Sequence, residues 1–252
     1  MSVTYEIRNG VAWLTINRPE ARNSLNRAVR DGLFDGVRRF NDDTDAKVLV
    51  LTGAGDKAFC AGGDLKEMAG ERLTIPPVDY VPQFDRNITV DKPTIAAVNG
   101  VAFAGGFLLA QTCDLCVAVT TAQFGITEVK VGRGSPWAAP LPLMIPRRIA
   151  TELALTGAPM SAQRAYEIGF VNRLAEPGEL AEITQAFAEQ IADNAPLSVA
   201  AGKQTATLTA DLPLREAFDQ AEKIWAPVYL SDDAQEGMQA FREKRAPQWK
   251  GR

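Results

Sequence analysis

Histidine is absent from all 252 residues. That absence alone removes Ser-His-Asp and Cys-His nucleophilic catalysis, and with them histidine-bound metal sites. Cysteine is nearly as scarce. Cys60, Cys113 and Cys116 are an odd number, too few for a disulfide framework and suited to a reducing compartment. Cys113 and Cys116 stand in C-x-x-C spacing, but no second pair exists and they lead into the apolar run 115–119. They read as small side chains in packed elements, not as redox or metal ligands. The nucleophile elbow G-x-S-x-G, the phosphate loop and the dinucleotide glycine fingerprint are missing as well. No apolar run approaches the roughly 18 residues of a membrane span. A net charge of −4 without a basic cluster gives no general attraction to nucleic acid. Residues 1–16 alternate as strand from the outset, with neither a basic leader nor an apolar signal core, so a cytoplasmic location is expected. The chemistry left open uses carboxylates, backbone amides or the rarer nucleophiles.

What is present is ordinary in bulk, 46% apolar and 23% charged, and long enough for one large core. Val3, Tyr5 and Ile7 alternate, Asn9-Gly10 supplies a tight turn, and residues 11–16 return as a second strand. Val29, Leu33, Val37 and Phe40 follow helical spacing behind Asn26, a suitable N-cap. Residues 47–52, 94–99 and 115–120 read as buried strands, and strands alternating with helices predict an α/β layer architecture. From about residue 146 the pattern is almost wholly helical, with segments 179–194, 197–209, 214–230 and 232–244. The boundary falls near Ala195: residues 1–195 form the core and 196–252 a helical region. Residues 70–91, with Pro76, Pro77 and Pro82, read as a mobile loop with a short helix over a site. No sequence repeat is evident.

Two runs place glycines where a strand ends: KAFCAGGDLKEM (57–68) and KPTIAAVNGVAFAGGFLLA (92–110). Glycine there lets the backbone approach a ligand with no Cβ in the way. Two amides converging on one oxygen make an oxyanion hole, and a helix start adds favourable partial charge. Spacing alone leaves these as turn glycines equally well.

Together with AQFGITEVKVG (122–132), LTGAPMSAQRAYEIGFVNRL (155–174) and EGMQAFREKRAPQWKG (236–251), these runs resemble the crotonase, or enoyl-CoA hydratase/isomerase, superfamily over nearly the whole chain. The resemblance implies a spiral of ββα repeats with a C-terminal helical trimerisation region, assembled as a homotrimer or a dimer of trimers. It implies that the amides of Gly63 and Gly105 hold a thioester oxygen. Asp64, Leu65 and Lys66 would line the CoA and acyl site, Ala61 would lie near the adenine, and Arg22 near the nucleotide end. Phe241 and Lys244 would reach a neighbouring subunit's CoA site. The partner is then an acyl-CoA or enoyl-CoA thioester, and no separate cofactor or metal is expected, CoA being part of the substrate.

Two-glutamate hydratases of this superfamily carry one glutamate where this chain has Leu108 and another where it has Glu128. Water addition wants one group to activate water and another to protonate carbon, whereas a double-bond shift needs one base. A lone Glu128, followed by VGRGSPW with Trp137 as pocket wall, also resembles Δ3,Δ2-enoyl-CoA isomerases. The sequence reading therefore places isomerase first, hydratase or a related hydroxyacyl-CoA dehydratase or racemase second, and an acyl-CoA-binding protein with little catalysis third. Lys57, Lys66 and Lys92 are left either as solvated side chains or as phosphate contacts.

Overall fold

Asn9 and Gly10, with φ of 49° and 76°, close the expected hairpin between β1 (Val3–Arg8) and β2 (Val11–Ile16). Helix α1 (Arg27–Asp42) follows, and the Asn26 side chain accepts from the Val29 amide at 3.0 Å, so the N-cap is where the sequence places it. The structure, a computed structural model, describes residues 1–71 and 73–252.

A unit then recurs. β3 (Val48–Gly53) leads into β4 (Ala58–Cys60) and α2 (Leu65–Gly70). β5 (Thr94–Val98) leads into β6 (Val101–Phe103) and α3 (Gly105–Thr112). β7 (Leu115–Val119) leads into β8 (Gln123–Gly125) and a 3-10 turn, Thr127–Val131. Each unit gives its longer strand to one sheet and a strand of three residues to another. The chain continues through a 3-10 turn, Pro136–Ala138, then α4 (Leu141–Met144), α5 (Arg147–Thr156), β9 (Met160–Ser161), α6 (Ala162–Glu167) and β10 (Arg173–Ala175). Helices α7 (Leu180–Ala192), α8 (Pro196–Asp211), α9 (Leu214–Tyr229) and α10 (Asp232–Glu243) complete it. The large sheet runs β1-β2-β3-β5-β7-β10 and is parallel from β2 onward. The small one runs β4-β6-β8-β9, with β4, β6 and β8 parallel. This is the spiral of ββα turns that the resemblance implies.

Burial explains the strand composition. β3 and β5 are buried at every residue, as a parallel sheet covered on both faces requires. Leu49, Leu51, Ala96 and Val98 join the core beneath α1. Val48, Val50, Ile95 and Ala97 face the other way, onto Ala188 and Ala192 of α7. The crossing from β3 to β4 is fixed by two buried asparagines: Asn23 Nδ2 donates to Ala54 O and Ala58 O at 3.0 and 2.7 Å, and Asn99 Nδ2 donates to Gly55 O at 2.7 Å.

Two expectations need correction. The region after residue 146 is not almost wholly helical: β9 pairs antiparallel with β8, and β10 pairs parallel with β7. Strands of two and three residues are too short to show a period of two. Among the described residues of the segment 70–91 there is no helix beyond Gly70, the last residue of α2, and residues 73–91 hold turns and one isolated bridge, Phe84 with Ile88. Its prolines remove backbone donors, and Arg72 lies outside the described residues. Among the described residues, no helix is long and apolar enough to cross a membrane.

Candidate active site

The three parallel strands of the small sheet end side by side, and a sequence-predicted group follows each end. β4 is followed by Gly62 and Gly63, β6 by Ala104 and Gly105, and β8 by the turn that carries Glu128. Ligands in parallel α/β sheets bind outside the carboxyl ends of the strands, and this small sheet offers three such ends together.

The first two turns touch. A Cβ built on Gly62, whose φ is +97°, would stand 2.8 Å from Ala104 Cβ and 3.5 Å from the Gly105 nitrogen. A Cβ on Gly106 would collide with the Cys60 carbonyl oxygen. Only glycine permits this approach. Leu25 takes up the neighbouring backbone groups: its amide donates to Gly62 O at 2.8 Å and its carbonyl accepts from the Asp64 amide at 3.4 Å. Among the described residues, the Gly63 amide between them has no acceptor. The Gly105 amide is the first of α3 and has no partner within the helix. Ala104 enters that helix at φ 51°, ψ −120°, a conformation L-residues seldom adopt; strain of this kind costs on the order of 1–3 kcal/mol. Two amides without acceptors among the described residues thus stand where the two turns meet, beside a helix start; an oxyanion hole is built from two such donors.

Glu128 is partly buried in the turn after β8. The Trp137 indole N–H donates to its Oε1 at 2.8 Å, while Oε2 is buried with no partner among the described residues. Burial pushes the Glu128 carboxyl above its ordinary range, and the indole bond opposes that rise without cancelling it. Leu108 sits in the core of α3 at 6% exposure, and α3 carries no charged residue.

Asp64 caps α2, accepting from the Lys66 and Glu67 amides at 3.2 and 3.3 Å, and pairs with Arg18 at 3.2 Å. Burial works to raise its carboxyl, but the two amides and the guanidinium outweigh it and hold it low. Leu65 and Lys66 project from the first turn of α2, Leu65 at 62% exposure. The Ala61 amide donates to the Arg22 carbonyl at 3.0 Å, which brings those two predicted residues together. Beside them Arg22 and Lys57 line a cavity of about 240 Å³. Lys92 is spent elsewhere, donating to the Phe40 and Asp43 carbonyls at 2.8 and 2.7 Å. Cys60 is a buried filler whose thiol burial pushes up to about 12. Phe241, 87% exposed, and Lys244, the αL cap of α10, take no part in the contacts joining the Gly63 and Gly105 turns.

Sequence reasoning missed several participants. Gln111 donates from Nε2 to the Trp137 carbonyl at 2.9 Å. Arg30, nearly buried, donates to Glu67 Oε1 at 2.7 Å and Tyr80 OH at 3.0 Å, while Arg133 donates to the Leu73 and Thr74 carbonyls at 2.8 and 3.2 Å. Arg30 ties α2 and Tyr80 to α1, and Arg133 ties the segment after α2 to the end of the turn that carries Glu128. One signal was legible: Gln111 lies three residues after Leu108, on the same helix face.

Residues 6–252 match the model of the enoyl-CoA hydratase/isomerase family, and the chain belongs to that family. The (E)-benzylidenesuccinyl-CoA hydratase of Thauera aromatica is 42% identical over 260 residues, spanning all of both chains. The carnitinyl-CoA dehydratase of Salmonella typhi is 39% identical over 97% of each. Among solved structures, an enoyl-CoA hydratase from Mycobacterium tuberculosis H37Rv superposes with a TM-score of 0.92 at 42% identity, covering 100% of this chain and 99% of that one.

The electrostatics of Glu128 make a stability prediction. Its folded-state carboxyl is raised, so burial favours the neutral form and the ionised form is a cost above that pKa. Glu128→Gln should therefore melt at a higher temperature than the parent at pH 8. The gap should close as pH falls through the folded-state pKa toward the ordinary glutamate range, where both side chains are neutral. Thermal unfolding across pH reads this; a variant less stable at pH 8 contradicts it.

Proposed function

We propose that this enzyme adds water to the conjugated double bond of a 2-enoyl-CoA, or removes it from the corresponding 3-hydroxyacyl-CoA, with Glu128 as the single proton-carrying residue. The order of the sequence reading is thereby reversed. The relatives named above are a hydratase and a dehydratase, and they favour the hydro-lyase alternative over the isomerase. One observation carries the reading: Glu128 presents a buried Oε2 with no partner among the described residues while its other oxygen is held.

One carboxylate suffices if it acts twice. The substrate's thioester oxygen lies against the Gly63 and Gly105 amides. Oε2 accepts a proton from water as the water oxygen bonds to the β-carbon. The double-bond electrons move to the thioester oxygen as an enolate, which the two amides stabilise. The enolate then collapses, its α-carbon takes the proton from Glu128, and the carboxylate is restored. One O–H bond of water is broken, and C–O and C–H bonds form; dehydration is the reverse. No metal or redox group is needed, and CoA enters with the substrate. Arg22, Lys57 and Ala61 are assigned to its nucleotide end and Asp64, Leu65 and Lys66 to the acyl side. Phe241 and Lys244 are assigned to a neighbouring subunit's site. We further assign residues 1–195 to the catalytic core and 196–252 to assembly, in a cytoplasmic homotrimer or dimer of trimers. Exposed Phe218, Tyr229, Leu230, Met238 and Phe241 on the last two helices and the turn between them support that assignment.

Three outcomes test this. Hydration of a 2-enoyl-CoA, followed by loss of conjugated absorbance, should outpace the shift of a 3-enoyl-CoA, and Glu128→Gln should slow it by about 100- to 10,000-fold. A folded Glu128→Gln protein at full speed removes the residue from the mechanism; a parent that only shifts the bond restores the isomerase. Gly105→Val places its Cβ 2.8 Å from Leu25 Cδ1, a side chain able to move, yet crowds the amide. It should cost about 100- to 1000-fold in turnover, the usual effect of one lost oxyanion donor, and near-parental kinetics in a folded variant sink that role. Light scattering at micromolar concentration should give a trimer or hexamer, and a clean monomer contradicts the assembly.

A further inference from the structure

We infer that Trp137 is a positioning residue for the base: its indole N–H holds Glu128 Oε1, and Gln111 in turn anchors the Trp137 backbone to α3. The inference rests on the base assignment of the preceding subsection and adds a residue that acts through it. The sequence reading made Trp137 a wall of the pocket. Its hydrogen bonds give it a different task.

The bonds form a short chain from helix to carboxylate. Gln111 Nε2 donates to the Trp137 carbonyl at 2.9 Å, and Trp137 Nε1 donates to Glu128 Oε1 at 2.8 Å. The ring between them cannot swing freely. It is 7% exposed and meets Phe107 edge-on with centroids 5.8 Å apart, and Phe107 packs in turn on Phe124 and Phe170. Phe107 stands two residues after Gly105, so the scaffold that orients the indole also carries an oxyanion amide. The base and one of the two oxyanion donors, Gly105, are thereby referenced to one helix.

The consequence for Glu128 follows from the donor. An indole N–H can only donate, so it favours the ionised carboxylate and engages one oxygen, leaving the other for the reaction. Few other groups can do this. α3 has no charge. Helix α5, packed against the Glu128 turn, brings Arg147, Arg148 and Glu152; the turn itself has Lys130, and Arg133 next to it is committed to Leu73 and Thr74. Burial, the indole bond and, after them, Glu128's own backbone amide act on the carboxyl, not a neighbouring charge.

The test is the pH profile of kcat/KM for hydration of a short-chain 2-enoyl-CoA. Trp137→Phe keeps an aromatic ring and removes the donor, so the carboxylate loses stabilisation and protonates at higher pH. The acid limb should rise by about one pH unit, a roughly tenfold loss of turnover at a pH below both limbs, with KM little changed. Site-specific 3-benzothienylalanine at position 137, which keeps the bicyclic shape with sulfur for N–H, should do the same and covers the case in which Trp137→Phe fails to fold. A wall of the pocket predicts the opposite split: KM moves with Trp137→Phe and the limb stays. An unmoved limb in either folded variant, with Glu128→Gln inactive, overturns this proposal alone. Full turnover in Glu128→Gln overturns the base assignment. Independently of activity, the Trp137 indole 1H–15N resonance should titrate with pH in the parent and cease to do so in Glu128→Gln. A resonance indifferent to pH in the parent contradicts the bond.

Discussion

Everything at the site hangs on how closely two backbone turns can approach. The turn after β4 and the turn after β6 meet with Gly62 against Ala104 at a separation no Cβ on residue 62 would allow. Among the described residues that contact leaves the Gly63 and Gly105 amides without acceptors, while Leu25 satisfies the groups flanking Gly63 and the Ala104 amide donates to Gly125 O. A backbone donor left free on folding is ordinarily a defect, although Gly63 and Gly105 are only partly buried. Here it is tolerated next to a strained Ala104, and strain of that kind persists only where the surroundings over-determine it. The parallel register of β4 on β6, itself set by the buried asparagines beneath, supplies that determination.

The carboxylate obeys the same logic from the third strand. β8 pairs with β6 at Phe103 and Gly125, so the turn after β8 starts level with the turn after β6. Glu128 inherits its place from that register and its orientation from Trp137. Burial raises its carboxyl toward the range in which a base both accepts and returns a proton, and the indole keeps the rise in check. The two act in opposite directions on one group.

The long strands and helices were legible because each has a period and a hydrophobic face: β3, β5 and β7 lie within a residue of the sequence reading, as does the Asn26 cap. The small sheet was not legible. Strands of three residues carry no measurable alternation, and that sheet is built of little else. The internal repeat escaped for a related reason. Its units share topology, but one ends in a short helix, one in a longer one and one in a 3-10 turn, so no sequence period survives. Gly63, Gly105 and Glu128 could be named only because their flanking motifs resemble a family. The link from Gln111 to Trp137 spans 26 residues and joins a side chain to a carbonyl. Neither motif nor spacing encodes such a bond.

Leu108 gives the arrangement its particular character. A second carboxylate facing Glu128 would couple the two titrations, because like charges in one pocket push one proton affinity up. With leucine in the core at that position, the coupling is gone and Glu128 answers to its burial, its indole and its own backbone amide. The cost is that one oxygen must reach both the attacking water and the α-carbon in the proposed reaction. That places the hydroxyl and the hydrogen on the same face of the double bond, since both come from the side where Oε2 lies. It also demands a carboxylate that does not rotate between the two transfers, because the proton taken from water is the one returned to carbon. A solvated glutamate on a flexible turn would lose that proton to bulk water. A glutamate with one oxygen fixed by a ring packed on Phe107, and the other sealed from solvent, is built to keep it.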